Sequence, residues 1–400
     1  MDEFNGKIIY LDNASTTKMS SAVFGEMKPF LTSEYGNPGT LYPMGTRANE
    51  AVANARNNVA EFIGAVSQEQ VIFTSGGTES NNMVFNHALQ SGVKCIVTSK
   101  LEHSSVLRAA ENCERHGCKV IFVKNDEDGI VDVADLRNIL KNAEADLKPG
   151  LVSIMYVNNE TGSINPVKQI ANVCAEYGVP LHIDSVQAAG CINLNVQEIG
   201  CDFMSVSSHK IHGPKGVGAL YVKNRALFTP LIFGGSSQEF GLRGGTENVA
   251  GIVGFGKACS MLIEYEKSQN LDIGIFPTIL KRAFWKSIKE SANRLGIGDK
   301  LHDNASSAES YGRILNIRFD GVDAESLVVL LGTRGICVSA GSACTSHEQK
   351  PSHVLTNVGL TEHNARESVR ISFSRMNRLS EVVYAADAMA KAVLFLIEMS

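Results

Sequence analysis

Val71-Ile72-Phe73-Thr74-Ser75-Gly76-Gly77-Thr78-Glu79-Ser80-Asn81 is the stretch on which the fold turns. Three apolar, β-favouring residues read as a buried strand. The glycine pair reads as a tight turn, and the polar run after it as a helix beginning near Thr78. Upstream, Val52, Ala55, Val59, Phe62 and Ile63 recur at helical spacing and Gly64 supplies the stop. Downstream the unit repeats. Cys95-Ile96-Val97 is a strand, residues 104–116 are helical and closed by Gly117, and residues 120–123 form the next strand. Asp132 caps a helix to Leu140, residues 151–157 form a strand, and Pro166 opens a helix that ends before Gly178. Residues 180–183, 202–206 and 218–222 are three further strands. Such alternation predicts an α/β fold with a mostly parallel sheet covered on both faces, its ligand outside the carboxyl ends of the strands.

The texture changes after about Gly256. One long charged helix is expected to about Gly296, then a polar loop over 297–311. Leu315, Ile317 and Phe319 alternate as a half-buried strand, and Val369, Ile371 and Phe373 alternate again. Between them lie a helix over 323–331 and a strand over 336–339, and Ser380 is placed to cap a last helix to Glu398. This is the pattern of a smaller α+β unit. The expected division is an N-terminal segment over 1–20 packing with the small domain, a large domain over 21–260, and a small domain over 261–400.

With 400 residues, 44% hydrophobic and 20% charged, the chain can bury a sizeable core, which excludes a disordered or fibrous protein. Its 37 basic and 42 acidic residues leave a net charge of −5, with no basic excess for nucleic acid or an anionic membrane. The cysteine count is 9, with no C-x-x-C and no metal-site spacing. Cys95, Cys174, Cys201, Cys259 and Cys337 sit among apolar neighbours and read as small core residues, and Cys113 and Cys118 as structural. The opening residues lack a secretory pattern and no run is long enough to span a membrane, so a reduced, cytoplasmic setting is expected.

The polar motifs fall at the expected strand ends. Ser207-Ser208-His209-Lys210 follows a strand and precedes the Gly/Pro-rich turn Gly213-Pro214-Lys215-Gly216. A solvated loop lysine is the plain reading. A lysine forming a Schiff base with pyridoxal phosphate is the functional one, since Ser and His precede it and small residues would let a planar ligand approach. Asp184-Ser185-Val186-Gln187 ends another strand, where Asp184 is either a helix cap or the partner of a protonated pyridine nitrogen. Gln187 could meet the ring's phenolic oxygen. Gly76-Gly77-Thr78 opens a helix and forms an anion cradle suited to one phosphate, or simply a tight turn. Glu102-His103 could stack a neutral imidazole on the ring, or only begin a helix. Asn158-Asn159-Glu160-Thr161-Gly162 places amides where a ligand would lie. Cys344 differs from the other cysteines, with small residues before it and a polar stretch after it, as on an exposed loop carrying a reactive thiol. Arg370, in a strand, suits a substrate carboxylate or a salt bridge.

Taken in order along the chain, these motifs resemble the cysteine desulfurases of the class V aminotransferase family. They are joined by Tyr10-Leu11-Asp12-Asn13-Ala14-Ser15-Thr16-Thr17, Gly36-Asn37-Pro38 and Arg243-Gly244-Gly245-Thr246-Glu247-Asn248. The resemblance is to the nitrogen-fixation and iron–sulfur-cluster type with a long cysteine loop. It implies pyridoxal-phosphate fold type I with a seven-stranded sheet. It implies conversion of L-cysteine to L-alanine, with sulfur carried as a persulfide on Cys344. Lys210 would hold the cofactor and Asp184 and Gln187 its ring. His103 would stack on the ring and move protons near the sulfur. Gly77, Thr78, Ser207 and His209 would bind the phosphate, with Thr246 of the partner subunit of a homodimer. Asn158 would contact cofactor and substrate, and Asn37 and Arg370 the substrate. Three segments depart from the family pattern: Lys18, Tyr42 and the glycine run from Gly234 to Glu239, one residue longer than usual. The sulfur acceptor would be a protein of iron–sulfur assembly, nucleic-acid thiolation or a similar route, without direct nucleic-acid binding or a membrane. A selenocysteine lyase, another lyase or aminotransferase on the same cofactor, and a non-catalytic sulfur-relay scaffold are the competing readings.

Overall fold

The computed structural model describes residues 7–341 and 351–399. Its strands, in chain order, are β1 (Ile9–Tyr10), β2 (Val71–Thr74), β3 (Cys95–Ser99), β4 (Lys119–Val123), β5 (Leu151–Met155), β6 (Leu181–Asp184), β7 (Phe203–Ser207), β8 (Gly218–Val222), β9 (Leu301–Asp303), β10 (Ile314–Phe319), β11 (Ile336–Cys337) and β12 (Ser368–Ser372). Seven of them form one sheet in the order β2-β8-β7-β6-β5-β3-β4, parallel except for the reversed β8. The strand expected over 151–157 stops at Met155, and Val157 makes only a bridge to Ile164.

Strand alternation sorts side chains to the two faces of this sheet. Val71 and Phe73 join one apolar cluster and Ile72 the other. The first cluster packs against the helices Ser21–Thr32, Pro43–Ile63, Val167–Tyr177 and Val249–Gln269, the second against Gly77–Gln90 and Ser104–Arg115. Both faces being covered, the strands read as short continuous apolar runs. In β5, β6 and β7 the pattern has a second use. Val152, Ile154, Leu181, Ile183, Met204 and Val206 fill the first cluster. Ser153, His182, Asp184, Ser205 and Ser207 alternate with them and are all buried. Ser153 Oγ meets His182 Nδ1 at 2.8 Å, and His182 Nε2 meets Ser205 Oγ at 3.0 Å. The polar row therefore crosses three strands fully satisfied before it reaches Asp184 at the carboxyl edge.

The second unit has the antiparallel sheet β12-β10-β9, backed by the helices Ile275–Arg294, Ala324–Thr333 and Leu379–Met399. Ile9 and Leu11 are in its core, and β1 pairs with β11 in parallel. The single long helix expected to Gly296 is two helices, separated at residues 270–274, with Asn270 left-handed at φ 48°. The last helix begins at Leu379, not at a cap by Ser380, and Glu381 accepts the N–H of Arg378 instead. Strands β10 and β12 are not half-exposed. Their apolar faces pack on the helices, while Asn316, Ser368, Arg370 and Ser372 on the opposite face are buried as well. Asn316 Nδ2 donates to the Glu160 carbonyl at 3.1 Å, so polar residues that alternation assigns to solvent join the two units.

A buried ion pair ties the glycine-rich segment to this frame. Arg56 donates to Glu239 from Nη1 (2.6 Å) and Nη2 (2.7 Å), and Glu239 Oε2 also accepts the N–H of Phe73 at 2.7 Å. The guanidinium lies 4.6 Å from the Phe73 ring centre and 5.0 Å from that of Phe240. Removing one partner strands a buried charge. Glu239→Ala is expected to lower stability by about 3–5 kcal/mol, read as a lower urea midpoint, whereas a midpoint within error of wild type would show the pair to be dispensable.

Candidate functional site

Lys210 ends the short 3-10 turn Ser208–Lys210 immediately after β7. The chain just after β1 folds over that turn. Thr17 donates to the His209 carbonyl from its N–H and from Oγ1, both at 2.9 Å, and its Oγ1 accepts the N–H of His212 at 2.7 Å. His212, left-handed at φ 67°, is held there. Lys210 Nζ donates to the carbonyls of Ala14 (2.5 Å) and Ser15 (2.9 Å). Burial, followed by the cations Arg313 and Arg370, pushes this amine down to about 7, against the opposing pull of Asp12 and Asp184.

Asp184 stands at the end of the neighbouring strand β6. Its Oδ1 accepts the N–H of Val186 at 3.0 Å and its Oδ2 accepts from Asn81 Nδ2 at 2.8 Å. The same Asn81 Nδ2 reaches Ser105 Oγ at 2.9 Å, and Ser105 Oγ lies 2.8 Å from His103 Nδ1. His103 Nδ1 also accepts the backbone N–H of Ser105, which assigns the ring proton of neutral His103 to Nε2. Burial holds His103 below the ordinary histidine range. Glu102 beside it is fully buried with Oε2 unpartnered among the described residues, and burial raises its carboxyl well above the usual range. Gln187 Nε2 donates to the Ala14 carbonyl at 2.8 Å, the same oxygen that receives Lys210 Nζ.

The glycine turn opens beside this cluster. Gly76 has φ 153°, and a Cβ on Gly77 would lie 2.5 Å from Val186 Cγ2, so the helix Gly77–Gln90 meets the Asp184 turn only with glycine there. Its first N–H groups have no intrahelical acceptors. Ser207 is buried, with Oγ 3.9 Å from a Cβ built on Gly76, and Thr78 is exposed at the mouth. His209 meets Thr16 Oγ1 at 3.1 Å, and burial together with Lys210 lowers it to about 4. Thr246 is exposed, beside a recess of about 70 Å³ that Thr74, Ser75 and Gly216 also line. Asn37 is exposed as well, its Oδ1 accepting from the N–H of Gly39 at 2.9 Å, with no hydrogen bond to the Lys210 cluster.

Arg370 enters from β12. Its Nη2 donates to Asp12 Oδ1 (2.9 Å) and Ser15 Oγ (2.6 Å), its Nη1 to the Asn159 carbonyl (2.8 Å), and its buried Nε has no partner among the described residues. Asn158 is committed to the turn that aims this carbonyl. Its Oδ1 accepts the N–H groups of Glu160 and Thr161, and its Nδ2 donates to the Leu101 carbonyl. Cys344 lies outside the described residues, which stop at Gly341 and resume at Pro351. Both flanks are fastened to the site. Ser339 exchanges backbone hydrogen bonds with Arg370, Ser352 Oγ donates to Glu160, and His353 Nε2 lies 3.1 Å from the Glu102 carbonyl. Sequence reading had assigned no role to Asn81, Asp12 or Arg313. Asn81, one helical turn beyond Gly77 on the buried face, and Asp12 each lie inside a quoted motif, whereas Arg313 lies in none.

The chain is similar to known proteins along nearly its whole length. The aminotransferase class-V family matches residues 9–384. A protein of Dictyoglomus turgidum named cysteine desulfurase IscS is 38% identical over 390 residues, covering 96% of this chain and 94% of its own. A cysteine desulfurase of Bradyrhizobium diazoefficiens is 38% identical over 387 residues, with 96% and 94% covered. Among solved structures, a NifS-like protein superposes with a TM-score of 0.84 at 32% identity, over 97% of this chain and all (100%) of that one. A structure titled SspA in complex with cysteine superposes with 0.75 at 29% identity, over 91% and 98%.

An amine pushed down to about 7 is charged below that pH and neutral above it. Reductive alkylation of the protein first freed of any bound aldehyde by hydroxylamine and dialysis, followed by peptide mass spectrometry, is therefore expected to label Lys210 at a rate that levels off above about pH 8, while exposed lysines keep accelerating toward about 10.4. A Lys210 rate that climbs in parallel with theirs would show an ordinary amine.

Proposed function

The chain belongs to the aminotransferase class-V family, and from that premise we propose that it is a pyridoxal-phosphate-dependent cysteine desulfurase, converting L-cysteine to L-alanine with the sulfur passing to Cys344. The observation that carries this reading is the pairing of a lysine displaced to about 7 with a buried aspartate at the next strand end. The residues fit the cofactor. Asp184, held as an acceptor by Val186 and Asn81, suits a pyridinium N–H. The glycine cradle with Ser207 and His209 suits one phosphate, and Thr246 of the partner subunit would complete it in a homodimer. Bound there, pyridoxal phosphate supplies an electron sink for the substrate's Cα–H electrons.

The chain's own groups do the rest. Lys210, neutral above about pH 7, takes the Cα proton through Nζ. Arg370 presents its Nε, unpartnered among the described residues, to the substrate carboxylate while Asp12 and Asn159 hold its other nitrogens. Neutral His103, with its proton on Nε2, donates or accepts near the substrate sulfur. Asn158 contributes by shaping the turn that aims the Asn159 carbonyl at Arg370, and exposed Asn37 would contact the substrate. The Cys344 thiolate attacks the substrate sulfur. A sulfur–sulfur bond forms, the carbon–sulfur bond breaks with its electrons returning to the substrate carbon skeleton, and alanine leaves after protonation. The persulfide then passes to an external thiol or acceptor protein.

Absorption spectra and product assays on wild type, Cys344→Ala and Lys210→Ala test this. Wild type is expected to be yellow and to make alanine and sulfide in the presence of a thiol reductant. Cys344→Ala is expected to stay yellow and lose both products by at least about a hundredfold, and Lys210→Ala to lose the visible band. A colourless wild type that cannot be reconstituted would contradict the cofactor. Undiminished turnover in Cys344→Ala would keep the cofactor and reject the persulfide.

A further inference from the structure

Arg313 is a buried guanidinium that the chemistry above leaves without a task. It is 5% exposed and directly precedes β10 of the small sheet. Its backbone is fixed there, because its carbonyl accepts the N–H of Phe373 at 2.9 Å and the N–H of Gly312 before it donates to Thr278 Oγ1 at 2.9 Å. The side chain crosses to the large domain. Nη1 donates to the Lys210 carbonyl at 2.9 Å, Nη2 donates to Gln187 Oε1 at 3.0 Å, and the buried Nε has no partner among the described residues. Among the described residues no carboxylate forms an ion pair with it. A permanently charged, buried group without a counter-ion is costly, so its place here calls for a role beyond packing.

Gln187 supplies that role. An amide oxygen facing a group that can only donate cannot exchange places with its nitrogen. Gln187 Nε2 donates one hydrogen to the Ala14 carbonyl and has a second hydrogen left for a ligand oxygen. Ala14 in turn receives Lys210 Nζ, which closes a ring from the lysine's carbonyl through Arg313, Gln187 and Ala14 back to its amine. We infer that Arg313 is a positioning residue: it fixes Gln187 with its N–H side toward the ring oxygen of the cofactor, holds the lysine-bearing turn, and sets a positive charge beside the lysine. The inference rests on the reading of Lys210 as the cofactor lysine. The groups facing that lysine are the cations Arg313 and Arg370, the carboxylates Asp12 and Asp184, and the imidazoles His103 and His209. Without Arg313 a single guanidinium opposes two carboxylates, and Gln187 is free to turn its oxygen toward the ligand. Both changes favour the protonated form of the lysine nitrogen.

The test is a pH titration of the visible band of the holoenzyme, with kcat and KM for cysteine, in wild type, Arg313→Met and Arg313→Lys. Arg313→Met is expected to move the midpoint up by about one pH unit and to lower kcat while KM stays near wild type. Arg313→Lys keeps the charge but cannot hold both acceptors, so its midpoint stays near wild type while kcat falls. A cofactor-loaded Arg313→Met with the wild-type midpoint overturns the inference. Should Arg313→Met fail to fold, Arg313→Lys with wild-type kcat overturns it equally. A wild type with no visible band rejects the reading of Lys210, and this inference with it.

Discussion

An amine is useful at this site only if it can lose its proton near neutral pH, and most of the surrounding structure serves that requirement. Lys210 is pushed to about 7 mainly by burial, and two guanidiniums add to the effect. Each unit of such a displacement weighs about 1.4 kcal/mol against the charged form. Burial of the amine requires a cover, provided by the chain from Asp12 to Lys18 that hydrogen-bonds along the lysine turn. That cover is itself fastened to the small sheet, where Asn13 Nδ2 donates to the Ser372 carbonyl and Asp12 pairs with Arg370. The two guanidiniums come from the same small unit. The lysine's chemistry is thus set by residues far from it in sequence.

The large sheet prepares the other half of the site by alternation alone. A two-residue period puts Ile183 into one core and His182 and Asp184 on the opposite face, where helix Gly77–Gln90 presents Asn81. From Asp184 the polar contacts run through Asn81 and Ser105 to His103. The carboxylate that would meet the cofactor ring and the imidazole that would stack on it therefore share one hydrogen-bonded row. Slipping β6 by one residue would turn Asp184 into the apolar cluster and break it.

Local pattern made the sheet and the lysine turn legible, because β-type runs, glycine turns and caps are written in neighbouring residues. Asp132 caps its helix through the N–H groups of Ala134 and Asp135, and Gly64 and Gly178 end theirs in the left-handed conformation at φ 67° and 65°. Lys210, Asp184, Gln187 and His103 stand together in space after lying apart in sequence. Cys344 was singled out by its neighbours alone and lies outside the described residues. What escaped was long-range. Arg313 reads locally as an ordinary arginine before an apolar strand, and only the packing of the small sheet brings it to Gln187. Strands β10 and β12 were expected to be half-exposed for the same reason, since alternation marks a polar face without saying whether water or another domain covers it. The helix expected to reach Gly296 breaks at residues 270–274, where Gly274 and, in the first turn of the next helix, Pro277 are the local signals that the apolar and charged pattern on either side outweighed.

Borohydride reduction of the holoprotein, followed by digestion and mass mapping, tests the central claim most directly. Lys281 is the internal control, a fully buried lysine that burial lowers to about 8, with Nζ donating to the carbonyls of Ser307 (2.7 Å) and Ser310 (2.6 Å) in the small unit. The expected result is the cofactor's mass on the peptide bearing Lys210 and on no other. Its appearance on Lys281, or on no lysine of a protein that has bound pyridoxal phosphate, would contradict the assignment of this site.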